Sequence, residues 1–182
     1  MQMINNLRLI KHSIKVAIFS YNLAKKINLS KEQCRNIFMA GLLHDIGKLK
    51  LDQSILNKKS KLSEEEFEYI KLHVNLGVQI LKKYKVSECI YRIVEQHHES
   101  EDGTGYPNGF KGEDLLIEAK ILKQADIYDA LTSNRSYRKK YTKKQAIEIM
   151  ANRKILLNSL SVKNIKTLKM VGKSIKNQRK YL

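Results

Sequence analysis

The sequence predicts an all-α protein, a bundle of about seven helices, from three observations. One proline and eight glycines are all that interrupt 182 residues. Apolar residues recur at helical spacing almost throughout. No stretch of any length alternates apolar and polar residues as a strand does. A chain of this length buries a real core, and residues 1–182 read as a single domain.

The first helix spans roughly residues 7–28. One stripe on it runs Ile10, Ile14, Ala17, Tyr21, Ala24, and a second runs His12, Val16, Phe19, Leu23, Ile27. Only Lys11, Lys15, Asn22 and Lys26 make a clear polar face, so most of this helix is expected to be buried. Ser30 with Gln33 three residues on is a capping-box signature. It starts a helix that ends in the apolar run from Ile37 to Leu43, for which Gly47 suits the C-terminal cap. Ser63 with Glu66 starts a helix over about 64–84, with Phe67, Ile70, Val74, Val78 and Leu81 as its core stripe. A helix from about Ser87 carries Ile90, Ile93, Val94 and His97 on one face.

Residues 99–112 break the pattern, with four of the eight glycines (Gly103, Gly105, Gly109, Gly112) and the single proline, Pro107. A shaped loop of this length in a compact domain is usually functional. The helical pattern resumes near Leu115, with Leu122, Asp126 and Asp129 close to one line. Thr142 with Gln145 caps a further helix. Ser161 starts the last, with Ile165, Leu168, Val171 and Ile175 as its stripe.

Composition narrows the class. Hydrophobic residues at 42% and charged residues at 29% fit a soluble globular chain. The apolar runs fall far short of the roughly 20 residues of a membrane span. Met1 to Asn6 lacks a charged segment followed by an apolar one, so no signal peptide is read and the chain is expected to be cytoplasmic. Cys34 and Cys89 stand alone and read as small buried hydrophobes. The net charge of +17 is uneven: residues 139–182 hold 13 Lys/Arg against Glu148 alone, a surplus of +12 that leaves +5 for residues 1–138. Lysines outnumber arginines there and only two aromatic residues, Tyr141 and Tyr181, stand among them. That favours a solvated surface that attracts anionic small molecules over a nucleic-acid or membrane-binding segment.

The chemistry lies with five histidines. His44 and Asp45 end the most apolar helix, where an unpaired carboxylate is costly to bury and calls for a cation. Asp126 repeats the argument among Ile121, Leu122, Ala125 and Ile127. A lone histidine on an apolar stripe, as His12 or His73, is most often a hydrogen-bonded core residue. Taken with His44-Asp45, His97-His98 and Asp126, both join a candidate multinuclear metal site. Imidazole and carboxylate without thiolate suit Fe, Mn, Ni or Zn in an open catalytic site.

These residues also carry a family resemblance. His44-Asp45 with upstream His12 and downstream Asp126 resembles the HD superfamily of metal-dependent phosphohydrolases. The run His44-Asp45-Ile46-Gly47-Lys48, then His73, then His97-His98-Glu99 followed by Asp102-Gly103, Gly105-Tyr106-Pro107 and Gly109, resembles its HD-GYP branch. So does the segment from Ala125 to Arg138. The match covers about residues 8–150, leaving 151–182 as a basic helical extension.

The resemblance implies an HD-type helical bundle with its Gly/Pro-containing loop near the site. It implies a phosphodiesterase that opens cyclic di-GMP by attack of a metal-bridging hydroxide, with linear pGpG or GMP as the end product. The implied ligands are His12, His44, Asp45, His73, His97, His98 and Asp126. His12, His44 and Asp126 would hold one ion and His73, His97 and His98 the other, with Asp45 bridging and Fe or Mn as the metals. Lys48 would contact the phosphate near the metals. Tyr106, Arg135 and Arg138 would face the substrate, and Asp129 would orient a ligand or an arginine. Some family members hold a third metal with a glutamate one turn before the first histidine. Arg8 stands there in this chain, so two metals are expected. Ser136 replaces the usual proline between Arg135 and Tyr137. Typical members are fused to a sensory domain; this chain, which starts almost at the His12 helix, is read as either a free-standing enzyme or an excised fragment. The rival readings are a cyclic-dinucleotide sensor that does not cleave, and an HD enzyme acting on cyclic GMP-AMP or another nucleotide.

Overall fold

Ser30 and Ser63 each start a helix through a reciprocal capping box. The serine hydroxyl accepts from the backbone N–H three residues on, and the side chain of Gln33 or Glu66 accepts from the serine N–H. Thr142 and Gln145 make the same exchange at the start of the last described helix. The computed structural model describes residues 2–58, 60–134 and 139–152. Within them the helices are α1 Gln2–Lys26, α2 Lys31–Leu43, α3 Gln53–Leu56, α4 Glu64–Lys71, α5 His73–Lys83, α6 Glu88–Glu95, α7 Ile117–Thr132 and α8 Lys143–Asn152. No strand forms among the described residues, and no helix there is long and apolar enough to cross a membrane. The helix expected from Ser161 lies outside the described residues.

The core lies where α1 packs on α2 and α7. Val16, Phe19 and Leu23 of α1 meet Ile37 and Ala40 of α2 and Ile121, Leu122 and Ala125 of α7, all buried. Phe19 and Tyr128 stack with centroids 4.7 Å apart. Each such side chain contributes about 1.5–3 kcal/mol relative to an exposed position.

Four expectations are corrected by packing. On α1 the His12–Phe19–Leu23 stripe is covered, but the other stripe is covered only in its later part: Ala17 and Ala24 are fully buried while Ile10 and Ile14 are 54% and 44% exposed. The helix expected over 64–84 divides at Leu72, whose N–H closes a tight turn on the Tyr69 carbonyl. That turn rotates the chain, so Val74, Val78 and Leu81 reach the core while Phe67 does not. Cys34 is buried but Cys89 is exposed. Gly47 does not cap α2, which ends at Leu43. It lies in a 3-10 turn, Ile46–Lys50, pressed against α5. A Cβ there would overlap the carbonyl oxygen of His73 and stand 2.6 Å from the Gly77 nitrogen. The absent side chain of Gly47 is what brings His44 and Asp45 up to His73.

Candidate metal centre

The seven expected ligands come from five stretches of chain. His12 sits mid-α1, His44 and Asp45 follow α2, His73 opens α5, His97 and His98 follow α6, and Asp126 is on α7. His97 is therefore not on the helix itself but in the turn beyond it.

Three of the histidines are oriented by one local device. Nδ1 of His44 lies 2.9 Å from the Gly41 carbonyl, that of His73 2.7 Å from Ile70, and that of His97 2.6 Å from Val94, each three residues upstream. A carbonyl only accepts, so the ring proton is on Nδ1 and the lone pair is on Nε2. His12 is set the same way by a carboxylate: its Nδ1 donates to Asp129 Oδ2 at 2.7 Å. Asp129 Oδ1 in turn accepts from Ser133 Oγ at 3.0 Å and lies 3.5 Å from Lys15 Nζ.

The aimed nitrogens converge. One ligand atom from each of His73, His97 and His98 lies within 4.8 Å of the others, and the same holds for His12, His44 and Asp126. Asp45 stands between the groups. Its Oδ1 is 3.6 Å from His73 Nε2, and its Oδ2 is 3.5 Å from His44 Nε2 and 3.7 Å from His12 Nε2. Asp126 Oδ1 is 3.2 Å from His12 Nε2. Lys48 Nζ meets Asp45 Oδ2 at 2.7 Å.

The donor set fits divalent cations on its own chemistry. His44 Nε2, His73 Nε2, His97 Nε2 and Asp45 Oδ1 are fully buried and have no hydrogen-bond partner. Leaving one such group unsatisfied costs about 1–3 kcal/mol, so four aimed at one place mark a site built for a ligand. Burial pushes the imidazoles of His73 and His97 below their usual range and that of His98 down to about 3, which keeps them neutral. Burial also opposes the charge on Asp45, yet Lys48 and then His44, His73 and His12 hold its carboxyl well below the usual range. His12 is the exception. Burial acts against its charged form, but hydrogen bonds to Asp126 and Asp129 override it and hold the imidazole up at about 9.

The Gly/Pro loop closes over one side. Gly105 lies so tightly on Glu99 and Ser100 that a Cβ would overlap their backbone. Glu99 is 2% exposed, and its Oε1 accepts from the N–H groups of Asn108 at 2.7 Å and Gly109 at 3.1 Å. Lys123 of α7 donates to the Glu99 carbonyl and to Ser100 Oγ, both at 2.6 Å. Tyr106 stacks on His98, centroids 4.7 Å apart and planes at 27°.

Arg8 donates from its guanidinium to the Asn134 carbonyl at 3.2 Å. Arg135, Ser136 and Arg138 lie outside the described residues. Two roles went unread in the sequence: Glu99 as the strut of the loop and Lys123 as its tie to α7. A carboxylate directly before a glycine-rich loop was the available signal for the first. The second had none, since Lys123 and Glu99 are joined only by folding.

A family model described as HD domain matches residues 1–155. A cyclic di-GMP phosphodiesterase of Pseudomonas aeruginosa is 38% identical over 141 residues, covering 77% of this chain and 34% of that protein. A 3'3'-cGAMP-specific phosphodiesterase of Vibrio cholerae is 37% identical over 139 residues, covering 76% and 30%. The cyclic di-GMP phosphodiesterase response regulator RpfG of Xanthomonas campestris is 39% identical over 126 residues, covering 68% and 33%. The chain thus spans about a third of the length of the curated relatives it matches. Among solved structures, an HDG"Y"P protein from Bdellovibrio bacteriovorus superposes with a TM-score of 0.70 at 20% identity, over 92% of this chain and 52% of that one. The HD domain of the L. monocytogenes phosphodiesterase PgpH gives 0.65 at 19% identity, over 93% and 92%. At these identities the likeness is one of fold.

Proposed function

This chain belongs to the HD domain family, and from that membership we propose that it is a two-metal phosphodiesterase that opens cyclic di-GMP to linear pGpG and onward to GMP in the cytoplasm. The observation that carries the reading is the convergence of three buried, partnerless imidazole Nε2 atoms and one carboxylate oxygen on a single place. His12, His44 and Asp126 would hold one ion and His73, His97 and His98 the other, with Asp45 lying near histidines of both groups. The ligand chemistry suits Fe or Mn. When bound, such a pair supplies Lewis acidity at the phosphoryl oxygens and an activated water.

The chain's own residues do the rest. The carbonyls of Gly41, Ile70 and Val94 fix three ring tautomers, and Asp129 fixes that of His12. The Lys48 ammonium, 2.7 Å from Asp45 Oδ2, is proposed to stabilise the charge a phosphoryl oxygen gains. Tyr106, laid on His98, offers a ring to a base at the mouth of the site. Arg135 and Arg138 are proposed as phosphate and guanine contacts on their chemistry alone. Arg8 supports a two-metal rather than a three-metal site: it places a cation, held by Asn134, on the helix that carries His12.

Cyclic GMP-AMP is the second reading, favoured by one observation: relatives named for cyclic di-GMP and for 3'3'-cGAMP are equally similar, at 38% and 37% identity. The test is turnover by anaerobically purified, Fe- or Mn-loaded protein of cyclic di-GMP, cyclic GMP-AMP and cyclic di-AMP. Hydrolysis of cyclic di-GMP is expected. Full metal occupancy without turnover of any of the three overturns the activity, and tight binding without hydrolysis identifies a sensor.

A further inference from the structure

Phe67 is a large apolar residue that the core does not use. It is 47% exposed on α4, beside Glu68 and one turn before Lys71. Lys71 Nζ lies 5.0 Å from the centroid of the Phe67 ring and 5.3 Å from that of Tyr106. The same ammonium pairs with Glu68 Oε1 at 2.5 Å. Tyr106 is already stacked on His98. An unbroken path therefore leads from a metal-site histidine through Tyr106 and Lys71 to the half-exposed ring of Phe67.

We propose that Phe67, Glu68 and Lys71 form a guanine subsite at the rim of the metal centre, taking the base of the cyclic dinucleotide that lies away from the cleaved phosphodiester. The proposal rests on the phosphodiesterase reading above and adds the residues that choose the base. Stacking on Phe67 holds any base, since every base has a π-face. Selection comes from the polar pair beside the ring. Guanine carries an acceptor, O6, next to two donors, N1–H and N2–H2. The Lys71 ammonium donates to O6, and the Glu68 carboxylate accepts from N1–H and N2–H2 together. Adenine has an unprotonated N1 and one exocyclic amine, so it gives the carboxylate a single hydrogen bond. Glu68 is 66% and Lys71 27% exposed, so both are within reach of a ligand. The acidic first turn of α4, Glu64, Glu65 and Glu66, repels phosphate and leaves this rim to the uncharged base.

The test is equilibrium binding of hydrolysis-resistant phosphorothioate analogues of cyclic di-GMP and cyclic di-AMP to the metal-loaded chain, as wild type and as Glu68→Gln, Phe67→Ala and Phe67→Trp. The wild type is expected to bind the guanine analogue roughly tenfold or more tightly than the adenine one, and Glu68→Gln to cut that preference to about threefold or less. Phe67→Ala should weaken both by roughly tenfold, and Phe67→Trp should restore them. Both side chains are exposed, so the far-ultraviolet circular dichroism of the variants should match wild type. An unchanged guanine preference in Glu68→Gln, or unchanged affinities in Phe67→Ala, overturns the subsite. If the wild type still hydrolyses cyclic di-GMP in that case, only the subsite falls. If it neither binds the analogues nor hydrolyses the parent compounds, the activity falls and takes the subsite with it.

Discussion

The ring proton of His12 is held by Asp129, Nδ1 to Oδ2 at 2.7 Å across 117 residues of sequence. Asp129 is itself set by Ser133 and Lys15, so α1 and the end of α7 are joined at the metal centre. Asp129→Ala should therefore lower affinity at the His12–His44–Asp126 ion by about 10–100-fold, as loss of an outer partner typically does. Titration of the metal-free variant with Mn2+ checks this. Loss confined to one of two binding steps is the expected result, and two unchanged steps would remove the role.

Asp45 faces both groups, so Asp45→Ala should empty both. Elemental analysis is expected to find neither ion retained, and turnover should fall to background. The effect should exceed the roughly 10–100-fold seen for an outer partner, because a ligand is lost. Retention of one full ion equivalent would contradict a bridging position.

Metal removal should destabilise the fold. The four buried partnerless atoms at the centre are satisfied only when a cation is present. At a metal concentration a thousandfold above Kd, binding contributes about 4 kcal/mol per site. Chelation of both ions, about 8 kcal/mol in all, is thus expected to lower Tm by about 16–32 °C, and re-addition of Mn2+ to restore it. A Tm indifferent to chelator in protein shown to have lost its metal would count against the centre.

Gly47 and Gly77 face each other but should respond in opposite ways. A Cβ at Gly47 collides with the backbone of His73 and Gly77, so Gly47→Ala should cost about 1–3 kcal/mol and weaken metal binding through the displaced His73. A Cβ at Gly77 has only ordinary contacts, the nearest at 3.5 Å, so Gly77→Ala should be neutral or stabilise by about 0.5–1 kcal/mol as helix glycine is replaced. Urea unfolding of the two variants separates them, and equal effects would contradict the packing described.

Glu99→Ala should release the loop that carries Tyr106. Its carboxylate is the acceptor for the Asn108 and Gly109 N–H groups, and removing it leaves those amides to solvent. Hydrogen exchange over residues 103–109 should speed by roughly tenfold or more, the equivalent of about 1.4 kcal/mol of lost protection, while α1 and α7 exchange as before. Global acceleration would mean that Glu99 supports the whole domain instead.

Much of this protein is written locally. The capping boxes at Ser30 and Ser63 and the Thr142–Gln145 pair are exchanges over three residues, and all three were legible. So was the helical class, because a 3.6-residue period needs no knowledge of what packs on it. The types of the candidate ligands were also legible, since buried carboxylates beside histidines call for a cation wherever they end up.

What could not be read depends on direction and on distance in space. The expected stripe through Phe67 and Val74 is continuous in sequence, yet one tight turn at Leu72 sends them to different faces. The same indeterminacy left both stripes of α1 as core candidates along their whole length, yet Ile10 and Ile14 stay exposed while Ala17 and Ala24 are buried. Gly47 read as a helix cap because that is the commonest local use of glycine. Its use here is set by α5, 26 residues later, which approaches to within backbone contact. That Asp129 orients a ligand was expected from the family resemblance, but that the ligand is His12, and that Glu99 serves its own loop, arises the same way. Periodicity and capping are properties of neighbouring residues. Which side of a helix is covered, and which lone pair a proton leaves exposed, are settled only when distant segments meet.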